Sequence, residues 1–295
     1  MNKRPFKQVD VFTVSPFSGN PVAVVLDGSN FSDSQMMQFA KWTNLAETTF
    51  ILPPQSSEAD YSLRIFTTSR ELPFAGHPTL GSCHAWLEHG GRPRHSDYII
   101  QECGKGLIKI RCVNGILSFQ APKLNASGPL DESEVQIIAR GLGLERCDIL
   151  HHAWCDNGPK WRGIMLQSAE KVLSISNIDC KLLLNMDVGV IGPHEVNRKC
   201  PDDMSTGSGE DTIDFEVRAF CPDDCPMEDP ATGSLNAAMG QWLIGAGLAP
   251  PLGYVARQGT ALGRNARIHV DRDNITGVIW IGGSCVTRIE GELYV

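Results

Sequence analysis

The sequence predicts an α+β fold built as a duplication, and three observations predict it. Strand-like and helix-like segments alternate from the start of the chain, a motif of the first half recurs in the second, and the segment after the second copy is apolar on nearly every face.

The elements follow in order. Val9 to Phe12, Val22 to Leu26, Thr48 to Leu52 and Leu63 to Phe66 are short β-branched or aromatic runs bounded by Gly, Pro or Ser, which reads as strands. Between the second and third lies Ser32 to Trp42, where Met36, Met37, Phe39 and Ala40 have near-helical spacing and Ser32 is an N-cap residue. The stretch Ala126-Ser127-Gly128-Pro129 is the linker candidate, which divides the chain into an N-terminal lobe, 1–125, and a C-terminal lobe, 126–295, with the last strand free to cross back.

The repetition is seen at His77-Pro78-Thr79-Leu80-Gly81-Ser82-Cys83-His84-Ala85, which aligns without a gap with Asp229-Pro230-Ala231-Thr232-Gly233-Ser234-Leu235-Asn236-Ala237. Upstream, Arg64-Ile65-Phe66 is echoed by Arg218-Ala219-Phe220, and Gly19-Asn20-Pro21 by Asn157-Gly158-Pro159. Each motif copy has the chemistry of a helix start. In the second, Asp229 is placed to cap and Pro230 to take the first helical position. That helix runs to Leu243 before Gly245; the first runs through Leu87 to Gly90-Gly91. With Gly81-Ser82 and Gly233-Ser234 in their first turns, both helices would present unpaired N–H groups to one shared cleft, a device for holding a carboxylate.

Composition narrows the function classes. The chain has 295 residues, 42% of them hydrophobic, so a large buried core is expected. A net charge of −8 with no dense basic run argues against nucleic acid or an anionic membrane as partner. No span reaches transmembrane length, and MNKRPFKQVDVFTV lacks the apolar core of a secretory signal. The ten scattered cysteines fit reduced thiols, and a cytoplasmic location is expected. Cys221 and Cys225 form a close pair without further ligands, so no metal site is expected. No glycine-rich dinucleotide fingerprint or phosphate loop is present, and no cofactor is expected.

Four stretches carry a resemblance: Val11-Phe12-Thr13 through Asn20-Pro21, Asn44-Leu45-Ala46-Glu47-Thr48-Thr49-Phe50, Arg70 through Thr79, and Glu228 through Ser234. In this order they resemble the signature segments of the PhzF-like phenazine biosynthesis family. The resemblance implies two similar lobes, each a β-barrel-like sheet around a central helix, as in diaminopimelate epimerase and proline racemase. Those relatives use two cysteines as acid and base, and by resemblance Gly76 and Asp229 hold their places here. It also implies a cofactor-independent isomerase, as the phenazine branch isomerises a dihydro-hydroxyanthranilate. Matched residue by residue, Glu47 carries the proton, and His77, Asp229 and Ser234 complete the site.

Read from the residues alone, Glu47 lies beside apolar Leu45-Ala46, where partial desolvation would suit general acid–base work, or it is a solvated loop glutamate. His77 is a proton-handling or a packing histidine. Asp229 orients, protonates or caps. The expected catalytic set is Glu47, His77 and Asp229, with Asn20, Gly76, Gly81, Ser82, Gly233 and Ser234 binding substrate. His84 reads as a half-buried helix residue, and Arg264 as a surface arginine or an anion contact. The expected partners are a small-molecule carboxylate and a second copy of the chain in a homodimer. Two competing readings are a racemase or epimerase of amino or hydroxy acids, which needs a base on each face of the carbon, and a non-catalytic binding module, which would not need Glu47 and Asp229.

Overall fold

A computed structural model describes residues 3–195, 212–223 and 227–295. The chain forms two compact units, Met1–Gln120 with Gly282–Val295, and Ala121–Ile281.

In the first unit β1 (Lys3–Val11) pairs antiparallel with β2 (Asn20–Val25), and α1 (Asp33–Thr43) carries the chain to β3 (Glu47–Leu52), parallel to β2. The expected cap of α1 is present: Ser32 Oγ accepts the Gln35 N–H, and the Gln35 side chain accepts the Ser32 N–H in return. Asn44, at φ 55°, ends the helix in the left-handed region. Next come β4 (Tyr61–Phe66), antiparallel to β3, and the two-residue β5 (Glu71–Leu72) that folds back on it. Then α2 (Gly76–Glu88) leads to β6 (Ile99–Cys103), parallel to β4, and the meander β7 (Gly106–Val113) and β8 (Ile116–Gln120). Helix α2 packs on β1, β2, β3 and β8 and is buried from Gly76 to Cys83. A Cβ on Gly81 would stand 2.4 Å from Val22 Cγ1, so glycine lets the helix approach β2.

The second unit opens with α3 (Glu132–Gly141) and then repeats this order. Strand β9 (Ile149–Asp156) pairs antiparallel with β10 (Lys160–Leu166), and α4 (Ala169–Leu173) leads to β11 (Val188–Pro193), parallel to β10. Strand β12 (Phe215–Phe220) is antiparallel to β11 and to the short β13 (Glu228–Asp229). Then α5 (Gly233–Gly245) leads to β14 (Gly253–Gln258), parallel to β12, and β15 (Ala266–Arg272). As its composition predicts, α5 is buried on nearly all sides, from Leu235 to Gly240 and again at Leu243 and Ile244. The chain ends through β16 (Ile279–Gly283) and β17 (Cys285–Tyr294), the latter antiparallel to β1. Both units are thus mixed sheets with few helices, an α+β fold.

The hairpins that precede α2 and α5 give the register of the repeat. Phe66 faces Glu71 and Ile65 faces Leu72; likewise Phe220 faces Glu228 and Ala219 faces Asp229. Arg64 makes a fork to both oxygens of Glu71, at 2.8 and 2.6 Å, and Arg218 makes the same fork to Glu228, at 2.9 and 2.8 Å. Each arginine also stacks over its strand's phenylalanine, Phe66 at 5.1 Å and Phe220 at 4.9 Å.

This register corrects the one expected from the motifs. Asp229 corresponds to Leu72 rather than to His77, and His77 corresponds to Ser234, each the second residue of its helix. Pro230 does not occupy the first helical position, and Asp229 is not the N-cap: Thr232 is. His-Pro and Asp-Pro look alike as local helix-start signals, but the strand ladder decides the register, and the turn before β13 is longer than the one before β5. Gly81 and Ser82 are likewise corrected. They lie beyond the first turn of α2, where backbone N–H groups are spent inside the helix. The Ser82 hydroxyl is fully buried against Thr49 Oγ1 at 2.8 Å.

Among the described residues no helix is long and apolar enough to cross a membrane, and no three His, Cys, Asp or Glu side chains group to hold a metal. Cys221 is half-buried and its N–H donates to the Met227 carbonyl at 2.7 Å; Cys225 lies outside the described residues.

Candidate active site

In the first unit the start of α2 gathers three of the predicted residues. Asn20 opens β2, and the buried Asp10 holds the turn before it by accepting the Ser18 and Gly19 N–H groups, both at 3.1 Å. A Cβ on Gly19 would stand 2.1 Å from the Val11 carbonyl oxygen, so no larger residue fits this approach. Asn20 Nδ2 then lies 3.3 Å from His77 Nδ1, and His77 Nε2 lies 3.3 Å from Glu47 Oε2. Glu47 is the first residue of β3, paired with Val22 of β2, and its side chain is 16% exposed. Its shielding comes from that strand position and from His77. The neighbours expected to supply it do not, since Leu45 is half-buried and Ala46 exposed.

Burial pushes His77 down to about 3, against a weaker opposing pull from its hydrogen bond to the Pro21 carbonyl. The ring is therefore neutral at physiological pH, and its contact with Glu47 is not an ion pair. A neutral imidazole carries one N–H: in one tautomer it donates to the Pro21 carbonyl, and in the other Nδ1 accepts from Asn20 Nδ2 and the Nε2 N–H faces Glu47. The first tautomer offers a protonated Glu47 an acceptor, and the second offers an ionised Glu47 a donor. Neither form is locked in, which is what a group that takes up and returns a proton needs.

The state of His77 also makes a stability prediction. Its folded value lies below its unfolded one, so the unfolded chain binds more protons between about pH 6.5 and pH 3. The contribution is complete above 6.5 and is lost as pH falls toward 3, by up to about 1.4 kcal/mol per pH unit. Thermal melts should show wild type losing stability faster than His77→Gln as pH drops through this window. Parallel curves would mean that the ring is charged in the folded protein.

In the second unit the start of α5 is organised by residues that the sequence did not single out. The Ser234 carbonyl accepts from Asn157 Nδ2 at 2.8 Å, and Ser234 Oγ accepts from Trp161 Nε1 at 3.2 Å. Asn157 at the β9–β10 turn thus serves Ser234 as Asn20 serves His77. The echo of Gly19-Asn20-Pro21 in Asn157-Gly158-Pro159 was the available signal. The half-buried Asp229 accepts the Thr232 hydroxyl at 2.5 Å, and the buried Gln258 bonds Thr232, Asn236 and the Asp229 carbonyl. No sequence motif points to Gln258, which stands at the end of β14 and reaches α5 only through the fold. Gly233 is the first residue of α5 and Gly76 the first of α2, so both sit where N–H groups lack intrahelical partners. His84 is half-buried on α2, 3.2 Å from Glu88, and Arg264 is half-buried after β14.

A family model described as phenazine biosynthesis-like protein matches residues 9–291. The chain is 38% identical over 316 residues to a protein of Schizosaccharomyces pombe named "Antisense-enhancing sequence 1", covering all of both chains. It is 30% identical over 314 residues to an uncharacterized isomerase of Mesorhizobium japonicum, again over all of both. The crystal structure of a Bacillus anthracis phenazine biosynthesis protein of the PhzF family superposes with a TM-score of 0.79 at 21% identity, covering both chains in full. That last likeness is one of fold.

Proposed function

This chain belongs to the phenazine biosynthesis-like family, PhzC-PhzF, and is an isomerase; from that premise we propose that it moves a proton within a small carboxylate substrate, without a cofactor, using Glu47 as the carrier. The observation that carries this reading is the Glu47–His77 contact at the start of α2, where a half-shielded carboxyl faces a neutral imidazole.

In the proposed reaction ionised Glu47 removes a proton from a carbon activated by a neighbouring carboxylate or enamine. The His77 ring accepts a hydrogen bond from the carboxyl so formed and orients it, the 16% exposed carboxyl exchanges its proton with solvent, and Glu47 returns a proton to another carbon. Asp229 of the second unit acts as the partner acid or base. Asn20 and Ser234, with the N–H groups at Gly76 and Gly233, hold the substrate's carboxylate and polar groups. Each unit is taken as one copy of a barrel-like sheet around its buried helix, and the chain as working in a homodimer. A two-thiol racemase gains no support: burial pushes Cys83 up to about 12, which leaves it a poor base at neutral pH.

The test is deuterium wash-in from heavy water over a panel holding dihydro-hydroxyanthranilate, proline and acyclic amino and hydroxy acids, with no cofactor added. Incorporation accompanied by a shifted double bond is expected. Racemisation of an amino acid without such a shift would point to the epimerase chemistry instead.

A further inference from the structure

The network behind Asp229 fixes where one proton points. Gln258 is fully buried, and its amide can stand in one orientation only. Its Oε1 faces the Thr232 N–H at 3.1 Å and Asn236 Nδ2 at 3.0 Å, and a backbone N–H can only donate. Its Nε2 faces the Asp229 carbonyl at 3.0 Å, which can only accept, and Thr232 Oγ1 at 2.9 Å. The Thr232 oxygen therefore receives a hydrogen from Gln258. Its own proton has to go elsewhere, and Asp229 Oδ2 lies 2.5 Å away.

We infer that Gln258 and Thr232 are positioning residues for the proposed reaction: Gln258 turns the Thr232 hydroxyl proton onto Asp229 Oδ2, which anchors one oxygen of the carboxylate and fixes its orientation. The inference rests on the assignment of Asp229 to the reaction. The first unit supplies a contrast. There Gln101, in the strand matching β14, is also fully buried and donates to Thr79 Oγ1 at 3.0 Å, but its Oε1 accepts from the Tyr61 hydroxyl at 3.1 Å. A buried amide of the matching strand serves packing in one unit, and in the other it directs a hydroxyl onto a carboxylate.

The experiment follows the Asp229 carboxyl by carbon NMR in protein labelled at aspartate, with the signal assigned from Asp229→Asn. No substrate is needed. Arg218 and Glu228, beside Asp229 in the hairpin, are paired with each other and unchanged in every variant. Thr232→Val keeps the shape and removes the hydroxyl; its Asp229 signal should titrate about one pH unit higher than wild type, the size of one hydrogen bond to a charged group. Thr232→Ser should restore the wild-type curve. Gln258→Glu puts an acceptor where Nε2 was, so the hydroxyl turns away from Asp229. Its effect should be larger in the wild-type background than in Thr232→Val, where only the added charge remains. A wild-type titration in Thr232→Val, or an equal effect of Gln258→Glu in both backgrounds, would overturn the inference. Absence of deuterium exchange in wild type would instead sink the role of Asp229 in catalysis while leaving these titrations intact.

Discussion

Replacing Glu47 by Gln is expected to slow isomerisation by about 10²- to 10⁴-fold, the usual share of a positioned general acid–base group. Gln keeps the size and hydrogen-bonding reach of the side chain but has no proton to pass on and cannot take one up. Ligand affinity and melting temperature should change little, because the substitution leaves volume and packing as they are. His77→Asn should lower rate and binding together, since the ring both orients Glu47 and touches Asn20. Steady-state kinetics of the two variants separate these patterns. A Glu47→Gln enzyme with unchanged turnover would remove the carboxyl from the reaction.

The second large effect is on stability, and the repeat provides its own control. Arg218 and Glu228 form their fork with side chains 5% and 9% exposed, whereas in the equivalent pair Arg64 and Glu71 are 27% and 42% exposed. Arg218 also donates to the Val172 and Ile175 carbonyls, at 3.3 and 2.6 Å. Arg218→Met would leave the Glu228 carboxylate buried without its cation, which costs about 3–5 kcal/mol. Arg64→Met leaves a partly solvated Glu71 and should cost under about 1 kcal/mol. Chemical denaturation of the two variants gives the comparison. Equal losses would mean that burial does not set the worth of this pair.

Local patterning made the elements around the site legible. Ser32 caps α1 as its position suggests, the four early strands lie where their β-branched runs place them, and α5 is buried because no face of it is polar. Asn20, Glu47 and His77 meet in one place although Asn20 and His77 are far apart in sequence. The register of the repeat was not legible, because it is written in strand pairing. Arg64 facing Glu71 and Arg218 facing Glu228 are recognisable only once each hairpin closes. Ser82 was misplaced for a related reason: a small polar residue after a helix-start motif looks exposed until strand β3 presses Thr49 against it. Gln258 and Trp161 were invisible because a lone buried amide or indole has no sequence signature, and its role comes from the groups that the fold sets around it.

The central claim is that Glu47 itself carries the proton, and single-turnover deuterium exchange tests it most directly. Wild type and Glu47→Gln, each in excess over the carboxylate that the wash-in panel identifies, are mixed in heavy water and the label in the bound substrate is followed by mass. The account predicts rapid incorporation in wild type and none on the same timescale in Glu47→Gln, with the substrate still bound. Exchange in the mutant as fast as in wild type would contradict it and pass the proton to Asp229 or His77.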